Sequence, residues 1–381
     1  MLPARRRGPR RVLASPGDRL RVGAAVLGAV ALLALVGRLA GPEPPAPLPG
    51  PGPATTRAPP GRPALPQPGV TAQLQVGHGG GPLLFGAGGL WVGAWRDRQV
   101  VRVDPSASRV AARFPVGGPG PVGLAVDAAT IWVVRPDADE VLRLDPGSGR
   151  VVARIPLGPL PFEAAPGDRR FQPSLVAVGA GAAWVASAHG AVARVDPVAN
   201  RVAAVIRLAH RDPAGIAVAG RIVWVAQGGH GLARIDAAGN RLLGPVRLPL
   251  RADRVATDGA TIWVGGRSTD RSFEVPGAVA RVDVATGTVR EVVPTGLPTG
   301  LAAGVGGVWV SERDGAGGAL ECIRPGSSPL NMTGLPALGE LAVGGGAVWA
   351  ADRRGSSVYR LDPGHHACSA ASVLTRPAVQ P

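Results

Sequence analysis

Residues 121–158 read PVGLAVDAATIWVVRPDADEVLRLDPGSGRVVARIPLG. Apolar and polar positions alternate in four short runs separated by turn residues, the pattern of a four-stranded antiparallel meander. The runs predict strand A at Gly123–Val126, strand B at Ile131–Val134, strand C at Val141–Asp145 and strand D at Arg150–Leu157. The Trp132-Val133 pair near the start of strand B recurs along the chain. Trp91, Trp132, Trp184, Trp224, Trp263, Trp309 and Trp349 are separated by 41, 52, 40, 39, 46 and 40 residues, and each but the last is followed by Val. A repeat of about 40 residues is the length of one four-stranded blade. The sequence therefore predicts an all-β fold, a seven-bladed β-propeller of four-stranded blades over residues 70–381.

Other features of the repeat agree. Gly215-Ile-Ala-Val, Gly300-Leu-Ala-Ala and Glu340-Leu-Ala-Val match the strand A segment, and their small residues suit strands crowded around an axis. Strand C ends in Arg-apolar-Asp at Arg102/Asp104, Arg143/Asp145, Arg194/Asp196, Arg234/Asp236, Arg281/Asp283 and Arg360/Asp362. Four residues after the Asp stands Ser108, Gly149, Asn200, Asn240 or Gly287, types that tolerate the left-handed conformation closing a type I turn with a bulge. The Asp then reads as the turn's side-chain cap, and the tryptophans as repeated packing residues.

The ends of the ring are legible too. Val70 to Gly77 matches a strand D segment with no strands A to C before it, so it is expected to complete the last blade beside strands at Leu341–Val343, Val348–Ala350 and Val358–Asp362. A tail strand near Ala371–Thr375 competes for that place. Cys322 stands where strand C of blade 6 should carry Arg, and Cys368 follows the corresponding turn of blade 7, so a Cys322–Cys368 disulfide is expected in an oxidising compartment.

Of the net charge of +15, the chain from residue 70 onward carries +7; residues 1–21 hold seven arginines against Asp18. The propeller shows no basic run with interleaved aromatics, which argues against nucleic acid as a partner. Val22 to Gly37 has no polar side chain, and a helix over residues 22–40 would reach roughly 28 Å, enough for a bilayer core. With the Arg-rich 1–21 held in the cytoplasm, the expectation is a single-pass signal anchor with the propeller extracytoplasmic. A cleaved signal peptide is the competing reading. Residues 41–69, rich in Pro and Gly, form a disordered, semi-extended linker.

Both long tryptophan spacings fall on the face shared by the D-to-A and B-to-C connections. Pro159–Ser174 contains Phe162, Arg169, Arg170 and Phe171; Gly266–Gly277 contains Arg267, Asp270 and Arg271. With Trp95, the one tryptophan out of register, these are the ligand-face candidates. His189, His230 and Glu312, in B-to-C loops of blades 3, 4 and 6, are the candidates for a catalytic or metal-binding set.

The Gly-Leu-Ala-Val, Trp-Val, Arg-Val-Asp-Pro and Val-x-x-x-Ile-x-x-Gly segments resemble the extracytoplasmic YVTN/surface-layer type of β-propeller repeat protein. More loosely they are similar to the streptogramin B (virginiamycin B) lyase group, over about residues 70–363. The first resemblance implies the fold; with the built-out loop face, the expectation is a monomeric binding, sensing or scaffold module for a protein, glycan or peptide ligand, with no cofactor. The second implies a magnesium-dependent lyase or hydrolase using His189, His230 and Glu312.

Overall fold

The computed structural model describes residues 69–118, 120–229, 231–272, 275–304, 307–314, 317–326, 330–353 and 356–362. The expected span at 22–40, nearly all of the linker, the tail strand near Ala371, His230 and Cys368 lie outside the described residues. The expected partner of Cys322 is therefore outside them as well. Among the described residues no helix is long and apolar enough to cross a membrane.

Seven antiparallel sheets of four strands follow one another around the ring, and in six of them spatial order equals chain order. Blade 1 is built from Gly80–Gly86, Gly89–Ala94, Gln99–Asp104 and Arg109–Pro115. In blade 2 the strands are Gly123–Val126, Ile131–Arg135, Glu140–Leu144 and Val151–Pro156, within about a residue of the alternation pattern at each end. The seventh sheet joins the chain's ends: Val70–Gln75 pairs antiparallel with Ser357–Leu361, from Val70 opposite Leu361 to Gln75 opposite Ser357. The N-terminal strand thus takes the outer place in the last blade.

Burial explains which residues occupy which strand. Strands B of blades 1, 2 and 3 are buried at every position, since both of their faces meet neighbouring blades. The outer strand Arg109–Pro115 alternates exposed and half-buried positions, with one face toward solvent. Apolar contacts gather into seven clusters, one at each blade-to-blade interface. Each cluster contains one repeat tryptophan facing the following blade; Trp349 of blade 7 faces blade 1. Several indoles also fix their own blade: Nε1 of Trp91, Trp184 and Trp349 donates to the carbonyls of Gly86, Gly179 and Gly344 at 2.9, 3.1 and 3.1 Å.

The arginines of strand C have a role that the turn motif did not disclose. Each lies directly across the sheet from its blade's tryptophan, as Arg102 does from Trp91 and Arg194 from Trp184. The guanidinium carbons of Arg102, Arg143, Arg194, Arg234 and Arg360 sit 5.2 to 5.9 Å from the ring centroids, within cation–π range. Three of these arginines then reach the next blade's C-to-D turn, Arg234 by a 3.5 Å bond to the Thr286 carbonyl. Arg143 donates to Asn200 Oδ1 at 2.6 Å, and Arg194 to Asn240 Oδ1 at 3.1 Å. In blade 5 Arg281 turns instead to Glu291 at 3.2 Å, and in blade 6 Cys322 lies opposite Trp309.

The aspartates cap their turns as expected. Asp104, Asp145, Asp196 and Asp283 accept backbone N–H groups two or three residues ahead, and Ser108, Gly149, Asn200, Asn240 and Gly287 all have φ between 46° and 73°. At Asp283 the Thr286 N–H and hydroxyl and the Arg290 guanidinium hold the carboxyl down at about 2. Its contribution to stability is therefore complete above the ordinary carboxylate range and lost as pH falls toward about 2. A carbon-detected NMR titration is expected to show its midpoint near that value. A midpoint near the ordinary aspartate value of about 3.9 would mean that the cap is not kept in solution.

Candidate functional site

The face shared by the D-to-A and B-to-C connections is where the repeat departs most from its minimum. The excursion between blades 2 and 3 doubles back on itself: the Leu160 N–H donates to the Arg169 carbonyl at 2.7 Å, and the Ala164 N–H to the Asp168 carbonyl at 2.8 Å. Leu160, Ala164 and Phe171 are sealed into the cluster between those blades. Phe171, expected on the ligand face, is fully buried and serves packing, because its ring is part of what holds the excursion to the propeller. Arg169 and Arg170 stay at the surface, but Arg169 Nε donates to the Leu160 carbonyl at 3.0 Å and Arg170 Nε to Asp139 Oδ2 at 3.2 Å. Phe162 is half-buried with the Arg207 guanidinium 4.4 Å from its ring centroid.

Ser187, His189 and Asp168 meet at the foot of this excursion, and their geometry is that of a clasp. The Ser187 hydroxyl is fully buried, donates to the Phe171 carbonyl and accepts the His189 backbone N–H at 3.0 Å. The His189 Nε2 stands 3.7 Å from Asp168 Oδ2, beyond hydrogen-bond length. A nucleophile would need its hydroxyl on the imidazole, and this one is held by backbone.

Glu312 is in another environment. It lies on strand B of blade 6, Gly307–Asp314, and its side chain packs against Gly296, where a Cβ would come within 3.0 Å of its carboxyl carbon. Its carboxyl shares a hydrogen bond with that of Glu321, and the two side chains are about equally buried. Neither Glu312 Oε1 nor Glu321 Oε2 has a hydrogen-bond partner. Burial first, then the hydrogen bond and charge of Glu312, push the Glu321 carboxyl up to about 8. The two described members of the expected set of His189, His230 and Glu312 thus stand in separate surroundings. His189 belongs to the blade 2–3 clasp, Glu312 pairs with Glu321, and His230 lies outside the described residues. Among the described residues no three His, Cys, Asp or Glu side chains are grouped to hold a metal ion.

Trp95 is held out on the same face. Its side chain remains 43% exposed, with the Arg96 guanidinium 5.2 Å from the ring centroid. Gly79, at φ 84°, lies beneath the indole, where a Cβ would come within 2.5 Å of Nε1. The adjoining loop is fastened by Asp97, whose carboxyl accepts the His78 N–H at 2.7 Å and is thereby held below the usual carboxylate range. On the far side of the ring Arg267, Asp270 and Arg271 are exposed. Their loop is tied to the preceding connection by Thr269 N–H to the Pro249 carbonyl at 3.0 Å and Arg251 N–H to the Arg267 carbonyl at 2.8 Å.

At the centre of the face an axial cavity of about 350 Å³ opens between the starts of the innermost strands. Its wall is mostly Gly, Ala, Val and Leu, and its two charged residues are Arg254 of blade 5 and Glu340 of blade 7, 3.5 Å apart. Enclosure by the surrounding strands raises the Glu340 carboxyl, against the opposing pull of Arg254.

No protein-family description and no curated protein matches this sequence. The expected kinship with surface-layer repeats or streptogramin B lyases therefore gains no support there. Solved structures do match in fold. The β-propeller domain of Cps50 (Swd1) from Myceliophteria thermophila gives a TM-score of 0.62 at 12% identity, over 76% of this chain and 99% of that one. A chain of the Mitotic Checkpoint Complex gives 0.62 at 13% identity, over 85% and 97%. Hydrazine synthase from Kuenenia stuttgartiensis gives 0.60 at 15% identity, over 74% and 95%. At these identities the likeness is one of architecture, shared by an enzyme and by a member of an assembly alike.

Proposed function

We propose that the propeller is a binding module that docks a protein partner on its D-to-A and B-to-C face, as a sensor or scaffold without chemistry of its own. The observation that carries this reading is the state of the loops on that face. Two of them are built out beyond the repeat, they are braced by their own hydrogen bonds, and together they leave Trp95, Arg267 and Arg271 exposed. Preorganised loops presenting an aromatic and arginines suit association, since little ordering cost remains at docking. The fold neighbour in the Mitotic Checkpoint Complex is itself part of an assembly, which is compatible with such a role. Placement outside the cytoplasm on an N-terminal anchor at residues 22–40 belongs to the same proposal.

The test uses full-length protein and an envelope fraction, with partner capture compared between the parent and Trp95→Ala. Because Trp95 is exposed, the substitution should alter stability by no more than about 0.5 kcal/mol. Loss of a central aromatic anchor costs about 2 kcal/mol or more in binding, a weakening of roughly thirtyfold. Undiminished capture by the variant would count against this face as the docking surface.

A further inference from the structure

A groove of about 450 Å³ opens at the rim of blade 4, between the connection that leaves blade 3, the B-to-C loop of blade 4 and the outer strand Arg241–Val246. Its apolar wall includes Leu242, Pro245 and Leu248; its polar rim includes His210, Gln227 and Arg247. Leu242 is left 40% exposed on this outer strand, beside the other apolar residues of the groove. Gln227, by contrast, is buried and fixed by a 2.9 Å bond from its Nε2 to the His210 carbonyl, so this side of the groove is preformed.

The chain leaving the groove runs between two B-to-C loops and is bonded to both. The Ala252 N–H donates to the Gly228 carbonyl at 2.9 Å, and the Arg251 N–H to the Arg267 carbonyl at 2.8 Å. This places Arg247 and Arg251 on one segment with Arg267 and Arg271 on its neighbour. All four are exposed, and among the described residues none of the four guanidinium groups has a hydrogen-bond or ion-pair partner. Residues 247–253 and 267–272 carry only Asp253 and Asp270 against them, and Asp270 is engaged by the Ser272 N–H and hydroxyl. An apolar groove beside unpaired arginines is complementary to a ligand that offers carboxylates and an apolar side chain together.

We propose that this groove takes an acidic amphipathic peptide segment of a protein partner, an apolar side chain entering between Leu242 and Leu248 while carboxylates meet Arg247 and Arg251. The inference rests on the docking reading above and names the place and chemistry of the contact. Full-length protein is titrated against a fluorescein-labelled peptide of alternating Glu and Leu, followed by polarisation, with alternating Lys and Leu, alternating Glu and Ser, and polyphosphate as comparisons. The Glu/Leu peptide should bind best. Joint Arg247→Ala and Arg251→Ala substitution should weaken it about tenfold or more, the weight of a charge-assisted hydrogen bond. Leu242→Asp, at an exposed position, should weaken it comparably, and so should roughly 1 M salt, where the screening length falls to about 3 Å.

Equal binding of the Lys/Leu peptide, equal binding of the Glu/Ser peptide or polyphosphate, or indifference to both sets of substitutions would overturn the proposal. Partner capture that needs Trp95 but is unaffected by the arginine pair would also overturn the groove, while leaving the docking role of the face standing. Peptide binding that fails in the arginine variant, with no dependence of partner capture on Trp95, would separate the two in the opposite sense.

Discussion

Trp184→Ala should cost the fold about 3–5 kcal/mol, the loss seen when a large buried aromatic is truncated. The indole is fully buried at the interface of blades 3 and 4, against Ile206, Val223, Val225 and Ile235. Its Nε1 also holds the Gly179 carbonyl, and the Arg194 guanidinium, 5.7 Å from the ring centroid, reaches across to Asn240. One truncation therefore opens a cavity, releases a turn and frees an arginine that links two blades. Trp184→Phe refills much of the volume and should recover part of the loss without the hydrogen bond. Denaturant midpoints at unchanged slope would measure both. A cost for Trp184→Ala no greater than that of the exposed Trp95→Ala would refute a packing role for the repeat tryptophans.

Glu321→Gln should make the protein more stable in mild alkali and flatten its pH dependence. The unfolded chain releases this proton near the ordinary glutamate value, whereas the folded protein keeps it up to about 8. Between those values the native state binds the extra proton, so stability falls as pH rises through the window and levels off above it. Each pH unit of separation is worth about 1.4 kcal/mol. Glutamine remains neutral and can still donate to Glu312, so the variant avoids placing two charges in the interface between blades 5 and 6. Thermal melts at about pH 5 and about pH 9 should show the parent losing several degrees that the variant keeps, at roughly 2–4 °C per kcal/mol for a large domain. A parent melting temperature indifferent to pH, with a variant weaker at both values, would sink this account.

The blade count and the strand order were legible because the repeat imposes one local pattern seven times, whereas Val70–Gly77 was one of two candidates for the closing strand until its pairing with Ser357–Leu361 was seen. The arginine-on-tryptophan stacks carried a signal that went unread: Arg follows Trp by 10 or 11 residues in five blades, the spacing of partners across an antiparallel pair. Phe171 misled because an aromatic in an insertion resembles a ligand contact until burial shows that it fastens the insertion down. Glu321 was visible as an acid inside the apolar run of Gly317–Ile323, but only the opposing Glu312 gives it meaning. Whether His189 and Glu312 could meet depended on position around the ring, which spacing along the chain does not encode. Arg247 and Arg251 were hidden in a short connection whose neighbours come from two different blades.

The bond from the Thr71 hydroxyl to the Arg360 carbonyl spans 289 residues. At a synthesis rate of about 5–20 residues per second, the strand that completes the last blade waits roughly 15–60 seconds for its partner to be made. Throughout that interval the first strand has no sheet partner, and a chain that stops early never supplies one. Closure is thus a record that synthesis has passed the last blade: a chain halted before it is recognisable by its unpaired first strand, before any binding face is called upon.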